Sequence, residues 1–421
     1  MPTSQIGNII LTFFHRSSRH SSKAFLCRTL RTPIMKVLFD YQAFEMQDFG
    51  GVSKLYGKTI PLLCRYSVEP IVGIKESNNV YLHEIGLKSE IKPLNYSNQR
   101  LFGAPHIIPG QRKTLHGILK LCGKKDGMLT PNRDLCIKLL KNRDFDIFEP
   151  TFYDDYFIEY LKGKPFTLEI HDMIPELFPQ YFGTNDYQIK QKRILCSRAA
   201  AIHVPSNSTK EDLVNILDIQ PEKITIISRG APSILTQPNS EVSTNLHPYI
   251  LFVGDRRDYK NFKPLLHEIS IIIQKEPDIQ LVCTGRPFCS EEIRLMNDLK
   301  ITSHIHHTYA NERNLPSLYN NAVAFVYPSA YEGFGLPILE AFSYRCPAML
   351  NNASCFPEIA GNAALFFDIN RQGDFADHFV DFYRTPQQAR DELIQRGLQQ
   401  VQLYSWEKTT NRLAQLYHSL S

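Results

Sequence analysis

The chain lacks the features that mark a membrane-spanning protein or one held together by metals or disulfides. None of its 421 residues belongs to a run approaching the roughly 18 apolar residues of a membrane span. Its nine cysteines are scattered and form no Cys-x-x-Cys pair, so neither a zinc site nor a disulfide framework is expected. The formal net charge of +4 is too small to indicate a nucleic-acid partner. Scattered cysteines suit a reducing compartment, so we expect a cytoplasmic location.

The first 34 residues contain no Asp or Glu and are rich in Ser and Arg. A transit peptide has such a composition. However, an apolar strand, Val37–Phe39, follows directly after Met35 and Lys36. We therefore expect residues 1–34 to be a leader that is disordered or that extends upstream of a misassigned start codon. A chain that begins at Met35 should then fold and work like the full one.

Apolar runs of strand length alternate with longer periodic segments through most of the chain. The strands predicted in the second half are Tyr249–Val253, Ile279–Thr284, His304–Thr308, Val323–Tyr327, Ala348–Asn351 and Ala364–Phe367. Those predicted in the first half are Val37–Tyr41, Pro70–Ile74, Asp146–Phe148, Phe166–Ile170, Ala201–Val204 and Ile224–Ile227. Alternation of strands and helices with short turns predicts an α/β fold with parallel sheets covered on both faces.

The length of the chain suits two domains better than one core. A stretch rich in Pro, Ser and Asn at 231–248 predicts a linker. We therefore expect a first domain at 35–230 and a second domain at 249–404. Residues 405–421 should form a helix with Leu413, Leu416 and Tyr417 on one face, packing back on the first domain. Two doubly wound domains would form a cleft between their carboxyl edges, where parallel sheets bind ligands.

The most specific motif runs from Glu332 to Glu340, after the predicted strand Val323–Tyr327. Its glycines let backbone N–H groups approach a ligand closely, and Pro337 suits the first position of a helix. Those N–H groups and the helix dipole predict an anion site for a pyrophosphate. Glu340 would fall in the first helical turn. There it would accept hydrogen bonds from ribose hydroxyls, or its negative charge would only stabilise the positive end of the helix dipole. Glu332 would face sugar hydroxyls from the loop.

This motif resembles the signature of family 4 of the retaining glycosyltransferases, the group 1 enzymes, which have the GT-B fold. The resemblance extends from Met35 to the C-terminus and implies two Rossmann-like domains that face each other across a cleft. It implies that the first domain is on the acceptor side and that the second binds the nucleotide-sugar donor. It implies that Glu332 contacts the donor sugar and Glu340 the ribose of a nucleoside-diphosphate sugar. The residues whose backbone would hold the sugar and phosphates are Gly333, Phe334, Gly335 and Leu336.

A cationic turn, Gly254-Asp-Arg256-Arg257-Asp-Tyr-Lys260, follows the predicted strand Tyr249–Val253. Sugar transfer expels a nucleoside diphosphate, and fixed cations beside the pyrophosphate stabilise that transition state, typically by several kcal/mol. The resemblance implies one Arg and one Lys in this turn. Lys260 matches, and the spacing from Gly254 favours Arg256 over Arg257. A solvated charged turn is the alternative.

Further site residues are expected where other strands end. His171 follows the strand Phe166–Ile170; such a histidine is often structural, but the resemblance implies that it touches the donor sugar. Gly50 and Gly51 precede a helix and would lie beside the donor phosphate, although a tight turn without a ligand explains them equally well. Ser206 is expected to cap a helix. The remaining donor-site positions are Gly230, Gly254, Thr284 and Gly285.

No metal and no cofactor are expected. The spacing Asp-x-Asp, which holds a divalent ion in other glycosyltransferases, occurs at Asp144 and Asp146, but there it begins a predicted strand. The cationic turn and the helix N-terminus can supply the charge stabilisation instead. The motif GxGxxG is absent, which argues against a dinucleotide oxidoreductase. The resemblance alone implies that the acceptor attacks the sugar from the face that the diphosphate leaves, so that the anomeric configuration is retained. It also implies that the departing phosphate helps to deprotonate the acceptor hydroxyl.

Asp40-Tyr-Gln42 and Tyr259-Lys-Asn261 resemble bacterial polysaccharide and lipopolysaccharide transferases, many of which use GDP-mannose. We therefore expect transfer of a hexose, with GDP-mannose as a candidate donor, to a glycan or lipid-linked acceptor in surface polysaccharide synthesis. One rival is a sugar-nucleotide epimerase, which needs an acid/base pair of which only His171 can be nominated. The other is a non-catalytic glycan- or nucleotide-binding module, which would not need the cations and both glutamates.

The segment from Glu84 to Arg143 interrupts the alternation and holds twelve Lys/Arg against four Asp/Glu. Its basic residues Lys113, Lys120, Lys124 and Lys125 surround an apolar set, Leu115, Ile118, Leu119 and Leu121. Such a patch suits a peripheral contact with an anionic membrane surface, on the inner face of the plasma membrane, and with a lipid-pyrophosphate acceptor. A solvated surface above a buried helix stripe explains it equally well.

Overall fold

The computed structural model describes residues 34–87, 91–94, 130–183, 186–234, 248–311 and 313–420. The expected leader apart from Ile34, most of the expected linker, and the basic cluster of Lys113, Lys120, Lys124 and Lys125 with its apolar set lie outside the described residues. Within the described part of the chain, no helix is both long and apolar enough to cross a membrane.

The described residues form an α/β structure, as the sequence predicts. The strands are β1 (Met35–Phe39), β2 (Val68–Val72), β3 (Ile147–Glu149), β4 (Thr167–Glu169), β5 (Ala201–Val204), β6 (Ile224–Ile226), β7 (Tyr249–Phe252), β8 (Gln280–Cys283), β9 (Ile305–His307), β10 (Ala324–Tyr327), β11 (Ala348–Asn351) and β12 (Leu365–Phe367). Each lies within two residues of a strand expected from the apolar runs, because buried parallel strands are almost continuously apolar.

Helices connect most of these strands. They are α1 (Gln42–Met46), α2 (Gly51–Thr59), α3 (Pro131–Asn142), α4 (Ile158–Leu161), α5 (Ile174–Leu177), α6 (Pro179–Phe182), α7 (Tyr187–Arg198), α8 (Asn207–Leu217), α9 (Phe262–Lys275), α10 (Ser290–Asp298), α11 (Leu315–Asn320), α12 (Leu336–Ser343), α13 (Phe356–Ala360), α14 (Asp374–Arg384), α15 (Gln387–Val401) and α16 (Trp406–His418). Contacts group the chain into two compact units. The first comprises Met1–Glu169, Arg198–Ala201 and Thr410–Ser421, and the second comprises Ile170–Ser197 and Ile202–Thr409. The domain bounds expected from the sequence stay a prediction.

The first unit contains a parallel sheet in the order β2-β1-β3. The ring of Phe39, at the end of β1, meets Tyr56 and Tyr417 edge-on, with centroids 6.2 and 6.3 Å apart. Tyr417 lies on α16, so the expected C-terminal helix exists, and its predicted face is buried. Asp40 directly follows β1, is fully buried, and accepts hydrogen bonds from Gln42, Thr151 and Tyr156.

The second unit contains a six-stranded sheet in the order β12-β11-β10-β7-β8-β9, and all of its strand pairs are parallel. Successive side chains of a strand point to opposite faces. Accordingly, Ile250 and Phe252 of β7 pack into one apolar cluster, while Tyr249 and Leu251 pack into another. The sheet is therefore covered on both faces, as the sequence predicts.

Strand β7 lies between β8 and β10, so the order of strands reverses at this point, which we call the switch point. Open parallel sheets bind ligands outside the carboxyl ends of the strands where the order reverses. The loop after β7 is the cationic turn, and the loop after β10 carries Glu332 and Gly333. The fold thus brings the two strongest motifs of the sequence to one edge of one sheet.

Candidate donor site

An ion pair between Lys260 and Glu332 lies at the centre of this edge. The ammonium of Lys260 donates a hydrogen bond to the carboxylate of Glu332, and the two side chains are 15% and 12% exposed. The Lys260 ammonium also lies 5.4 Å from the ring centroid of Tyr259 and 5.6 Å from that of Tyr327. The structure therefore brings two predicted catalytic residues together, in a pocket of aromatic rings that strengthens the attraction of opposite charges.

The backbone of Glu332 is held by Ser354, which precedes α13. The Glu332 N–H donates to the Ser354 hydroxyl at 3.1 Å, and that hydroxyl donates back to the Glu332 carbonyl at 2.9 Å. Beneath the pair, burial raises the pKa of Tyr327 well above its usual value, and the negative charge of Glu332 raises it further. The phenol of Tyr327 therefore stays protonated next to the glutamate.

Gly333 packs directly against the main chain of His171. A Cβ at Gly333 would lie 1.9 Å from the His171 carbonyl oxygen, so no residue with a side chain fits. The Gly333 carbonyl accepts hydrogen bonds from the hydroxyls of Ser206 at 2.7 Å and Thr209 at 3.3 Å. Ser206 also accepts the Thr209 N–H at 3.2 Å, which confirms its predicted role as a helix cap.

The second role of Ser206, as a support for Gly333, was missed by sequence reasoning. The sequence pattern that could have predicted this support is Ser-x-x-Thr at the point where a strand leads into a helix. That spacing places two hydroxyls on one side of the first helical turn. A neighbouring contact is of the same kind, since the N–H and side-chain amide of Asn207 donate to the carboxylate of Glu358 at 2.9 to 3.0 Å. The loop of Gly333 and helix α13, which carries Glu358, therefore both contact the start of α8.

The ring of His171 lies near a buried arginine. Its Nδ1 is 3.3 Å from an Nη of Arg229. Gly230 follows, and a Cβ there would lie 2.4 Å from the backbone nitrogen of Trp406. Gly230 is therefore required by packing alone, and its expected contact with the donor stays a prediction.

The loop after His171 is held by a buried lysine that sequence reasoning also missed. The ammonium of Lys192, on α7, donates to the Asp172 carbonyl at 2.8 Å and to the Glu176 carboxylate at 3.0 Å. The side chains of Lys192 and Glu176 are both almost completely buried. Breaking such a pair by removing one partner costs about 3–5 kcal/mol. We infer that this ion pair fixes the loop that presents His171.

Arg256, the favoured cation of the turn, has its guanidinium engaged with protein groups. It donates to the Glu292 carboxylate at 2.8 Å and to the carbonyls of Thr284 and Pro287 at 3.1 and 3.0 Å. Its side chain is only 4% exposed, whereas that of Arg257 is 54% exposed. Of the two arginines, Arg257 therefore has the more accessible guanidinium, and a donor contact of Arg256 stays a prediction.

The ends of β7 and β8 approach each other through glycines. The Gly254 N–H donates to the Thr284 hydroxyl at 3.2 Å. Gly285 has a φ of 90°, and a Cβ there would lie 2.5 Å from the Gly254 carbonyl oxygen. Close backbone packing thus explains Gly285, and a φ of 112° explains Gly254, where a Cβ would meet no neighbouring atom. The contact of either glycine with a donor stays a prediction.

The comparisons with known proteins agree with this geometry. The family model "Glycosyl transferases group 1" matches residues 235–400, and the model "Glycosyltransferase Family 4" matches residues 111–233. The chain belongs to the group 1, family 4 glycosyltransferases. The two matched stretches together span more than half of the chain and include the cationic turn, the loop of Glu332, and His171.

Among its curated relatives, this glycosyltransferase is 31% identical over 176 residues to the O-antigen chain mannosyltransferase B of Escherichia coli, covering 41% of this chain and 46% of that protein. It is 25% identical over 204 residues to the O-antigen chain mannosyltransferase RfbU of Salmonella typhimurium, covering 48% of this chain and 56% of the relative. The chain therefore matches only about half the length of these relatives.

Solved structures resemble almost the whole chain. A glycosyltransferase from Rickettsia africae has a TM-score of 0.61 at 17% identity, with coverage of 92% of this chain and 98% of that one. Anabaena HepE, solved in complex with UDP and glucose, has a TM-score of 0.67 at 13% identity, with coverage of 91% and 100%. At such identities the likeness shows the fold alone, and it confirms the expected GT-B fold.

In this glycosyltransferase the helix after the Glu332 loop begins one residue earlier than expected. Gly335 is the N-cap with a φ of 86°, α12 begins at Leu336, and Pro337 is its second residue. The expectation that Glu340 lies in the first helical turn is therefore wrong, because the left-handed Gly335 starts the helix sooner. Glu340 lies in the second turn, is largely buried, and accepts the Tyr319 hydroxyl at 3.4 Å.

The neighbours of Gly335 also have packing roles. Phe334 is buried, with its ring centroid 5.8 Å from that of Tyr404, and Leu336 packs partly buried against the same apolar cluster. The side chains of Phe334 and Leu336 are therefore used inside the protein, which leaves their backbone for a ligand. The predicted contacts with sugar and phosphates remain predictions.

Gly50 and Gly51 belong to the first unit. Gly50 is the N-cap of α2, and its carbonyl accepts the N–H of Lys54 at 2.9 Å and the hydroxyl of Ser53 at 3.2 Å. A turn into a helix accounts for these contacts, and a donor contact stays a prediction.

Among the described residues no three His, Cys, Asp or Glu side chains are grouped to hold a metal ion. Asp144 and Asp146 both bind Lys36.

Proposed function

We propose that this glycosyltransferase moves a hexose from a nucleoside-diphosphate sugar to a glycan or lipid-linked acceptor, with retention of configuration and without a metal ion or cofactor. The observation that carries the proposal is the ion pair of Lys260 and Glu332 at the switch point of the second unit. When a sugar diphosphate binds to this largely buried pair, the cation can pair with the diphosphate in place of the carboxylate. The carboxylate can then accept hydrogen bonds from the sugar.

In the proposed reaction the pyrophosphate replaces the carboxylate as the partner of Lys260. Glu332 then accepts hydrogen bonds from hydroxyls of the sugar. The bond between the anomeric carbon and the diphosphate oxygen breaks, and the acceptor oxygen bonds to the same face of that carbon. The acceptor proton passes to the departing diphosphate, whose growing charge Lys260 stabilises. His171 lies next to Gly333 and would contact the sugar.

Mannose is the proposed sugar, and GDP-mannose the proposed donor. Support comes from the relatives, since those reported above are both called O-antigen chain mannosyltransferases. A surface polysaccharide or its lipid-linked precursor is the matching acceptor. The basic segment around Lys113 to Lys125 would then bring the enzyme to an anionic membrane surface on the cytoplasmic side.

The test is a panel of nucleotide sugars incubated with the full chain and a lipid-linked glycan acceptor. We expect nucleoside-diphosphate release with GDP-mannose, no effect of a chelator, and an α-linked product from the α-linked donor by NMR. Glu340→Gln should raise the donor KM with little change in kcat, because a ribose contact is equal before and during reaction. Conversion of the donor into its epimer without transfer would instead support the epimerase, and no turnover of any donor would refute the proposal.

A further inference from the structure

A cavity of about 740 Å³ opens beside the cationic turn. Its walls come from α6, from the chain between Arg256 and Pro264, and from the start of α10. Arg256 and Arg257 of the cationic turn line it, but neither Lys260 nor Glu332 does, so the cavity lies beside the ion pair of the donor site and does not include it. Small-molecule sites commonly have volumes of roughly 300–1,000 Å³, so this cavity has room for more than one sugar ring.

Aromatic rings form one wall of the cavity. Tyr181 is 47% exposed, and its ring stacks on Phe178 with a centroid distance of 6.2 Å and an interplanar angle of 17°. Phe178 in turn stacks on Tyr259 at 6.0 Å, and Phe182 also packs against Tyr259 at 6.3 Å. The inner rings hold Tyr181 in place, and nearly half of its surface stays exposed. A rigid aromatic face offers a large apolar contact at little cost in conformational entropy.

The charges around the cavity cancel. Its lining holds three cations and three carboxylates, namely Arg256, Arg257, Lys263, Asp258, Glu291 and Glu292. Most are already paired, with Arg256 on Glu292 and Lys263 on Glu291, both at 2.8 Å. A phosphate or nucleotide would meet carboxylates that repel it, and a cationic ligand would meet ammonium and guanidinium groups. An uncharged ligand with many hydroxyls can accept from the cations and donate to the carboxylates.

We propose that this cavity is a saccharide subsite that binds an uncharged part of the acceptor glycan, with a pyranose ring lying on Tyr181. The apolar face of the ring covers the tyrosine, and its hydroxyls bind the charged rim. The inference rests on the proposed function only in taking the acceptor to be a glycan. It adds a place for the acceptor chain beside the Lys260–Glu332 pair, and this place favours longer acceptors over monosaccharides.

The test is a titration of the full chain with an α-linked mannose trisaccharide, without donor, followed by saturation-transfer NMR and calorimetry. We expect saturable binding that GDP does not displace. Tyr181→Ala should weaken binding about fivefold to tenfold, the loss normal for one aromatic contact, and Tyr181→Phe should retain it. The matched control is Tyr187→Ala, because Tyr187 is 55% exposed but does not line the cavity.

No saturable binding, displacement of the trisaccharide by GDP, or equal affinity of Tyr181→Ala and the unchanged chain would overturn the inference. If Tyr181→Ala does not fold, as judged by its Tm, Glu291→Ala at the exposed rim takes its place and should weaken binding in the same way. The outcome is separable from that of the proposed function. Trisaccharide binding that depends on Tyr181 without turnover of any donor would refute the transferase alone, and normal turnover without such binding would refute the subsite alone.

Discussion

Replacing Lys260 by methionine removes one positive charge and keeps an unbranched side chain against Tyr259 and Tyr327. Two unit charges 4 Å apart attract each other by about 4 kcal/mol at an effective dielectric constant near 20. That value suits Lys260, whose side chain is 15% exposed. Removal of one preorganised electrostatic group typically lowers kcat by roughly 10² to 10³. Because the leaving pyrophosphate gains charge in the transition state, kcat should fall more than donor affinity.

The same substitution leaves Glu332 without the lysine that neutralises it, so it should also lower the free energy of unfolding. The cost should be about 1–3 kcal/mol, below that of a fully buried pair, because both groups keep some solvent contact. The double variant Lys260→Met/Glu332→Gln should recover that stability but not the turnover. Lys275→Met is the control, since its surface pair with Asp377 at 2.6 Å should affect neither quantity.

The assays are steady-state kinetics with varied donor, donor binding by calorimetry, and chemical unfolding of all four proteins. A Lys260→Met enzyme that folds normally and keeps its kcat would refute the assignment of the donor site. A fall in donor affinity as large as the fall in kcat would refute the transition-state argument, because the contact would then be equally strong before reaction.

Three further predictions concern Ser206, the two arginines of the cationic turn, and the buried Asp40. Ser206→Ala should lower kcat more than it raises KM, and it should cost about 1 kcal/mol of stability as a lost helix cap, while Ser206→Thr should restore kcat and stability. Equal kinetics in the unchanged enzyme and both variants would contradict this. Arg256→Lys should lower Tm, because its hydrogen bonds to Glu292 and two carbonyls need the guanidinium. Arg257→Ala should keep Tm, because that side chain is 54% exposed; a larger loss of Tm in Arg257→Ala than in Arg256→Lys would contradict this. Burial raises the pKa of Asp40 to about 6 from 3.8, so the folded state holds this proton more tightly than the unfolded state. The resulting stability, about 3 kcal/mol, is present below pH 4 and is lost as the pH rises through 6. Unfolding curves of Asp40→Asn should not show this loss.

The sequence predicts strands and motif positions well because these depend on local patterns. Strand β10 is buried on both faces and reads as an apolar run, and the glycine-rich loop follows it directly. Both features lie within about fifteen residues of chain. The exception is the start of α12, where the left-handed Gly335 begins the helix at Leu336 and moves Glu340 into the second turn.

Contacts between distant parts of the chain could not be predicted in this way. The spacing from Gly254 favoured Arg256 as a ligand, but Glu292, 36 residues later, and the ring of Phe288 at 4.7 Å hold its guanidinium. Ser206 and Gly333 are 127 residues apart, and only the folded chain brings them together. One sequence shows which residue types are present at strand ends, but it does not show which charges neutralise one another.

The contact between Gly333 and the His171 carbonyl joins main chain to main chain, and this has a consequence for changing the enzyme's preference. The distance between the loop that presents His171 and the loop of Glu332 is set by this main-chain contact and not by the side chain at position 171. That side chain can therefore be exchanged while Glu332 keeps its position. Any substitution at Gly333 would instead push the two loops apart, because a Cβ there meets the carbonyl at 1.9 Å. Libraries aimed at new donor sugars should therefore vary position 171 and leave position 333 as glycine.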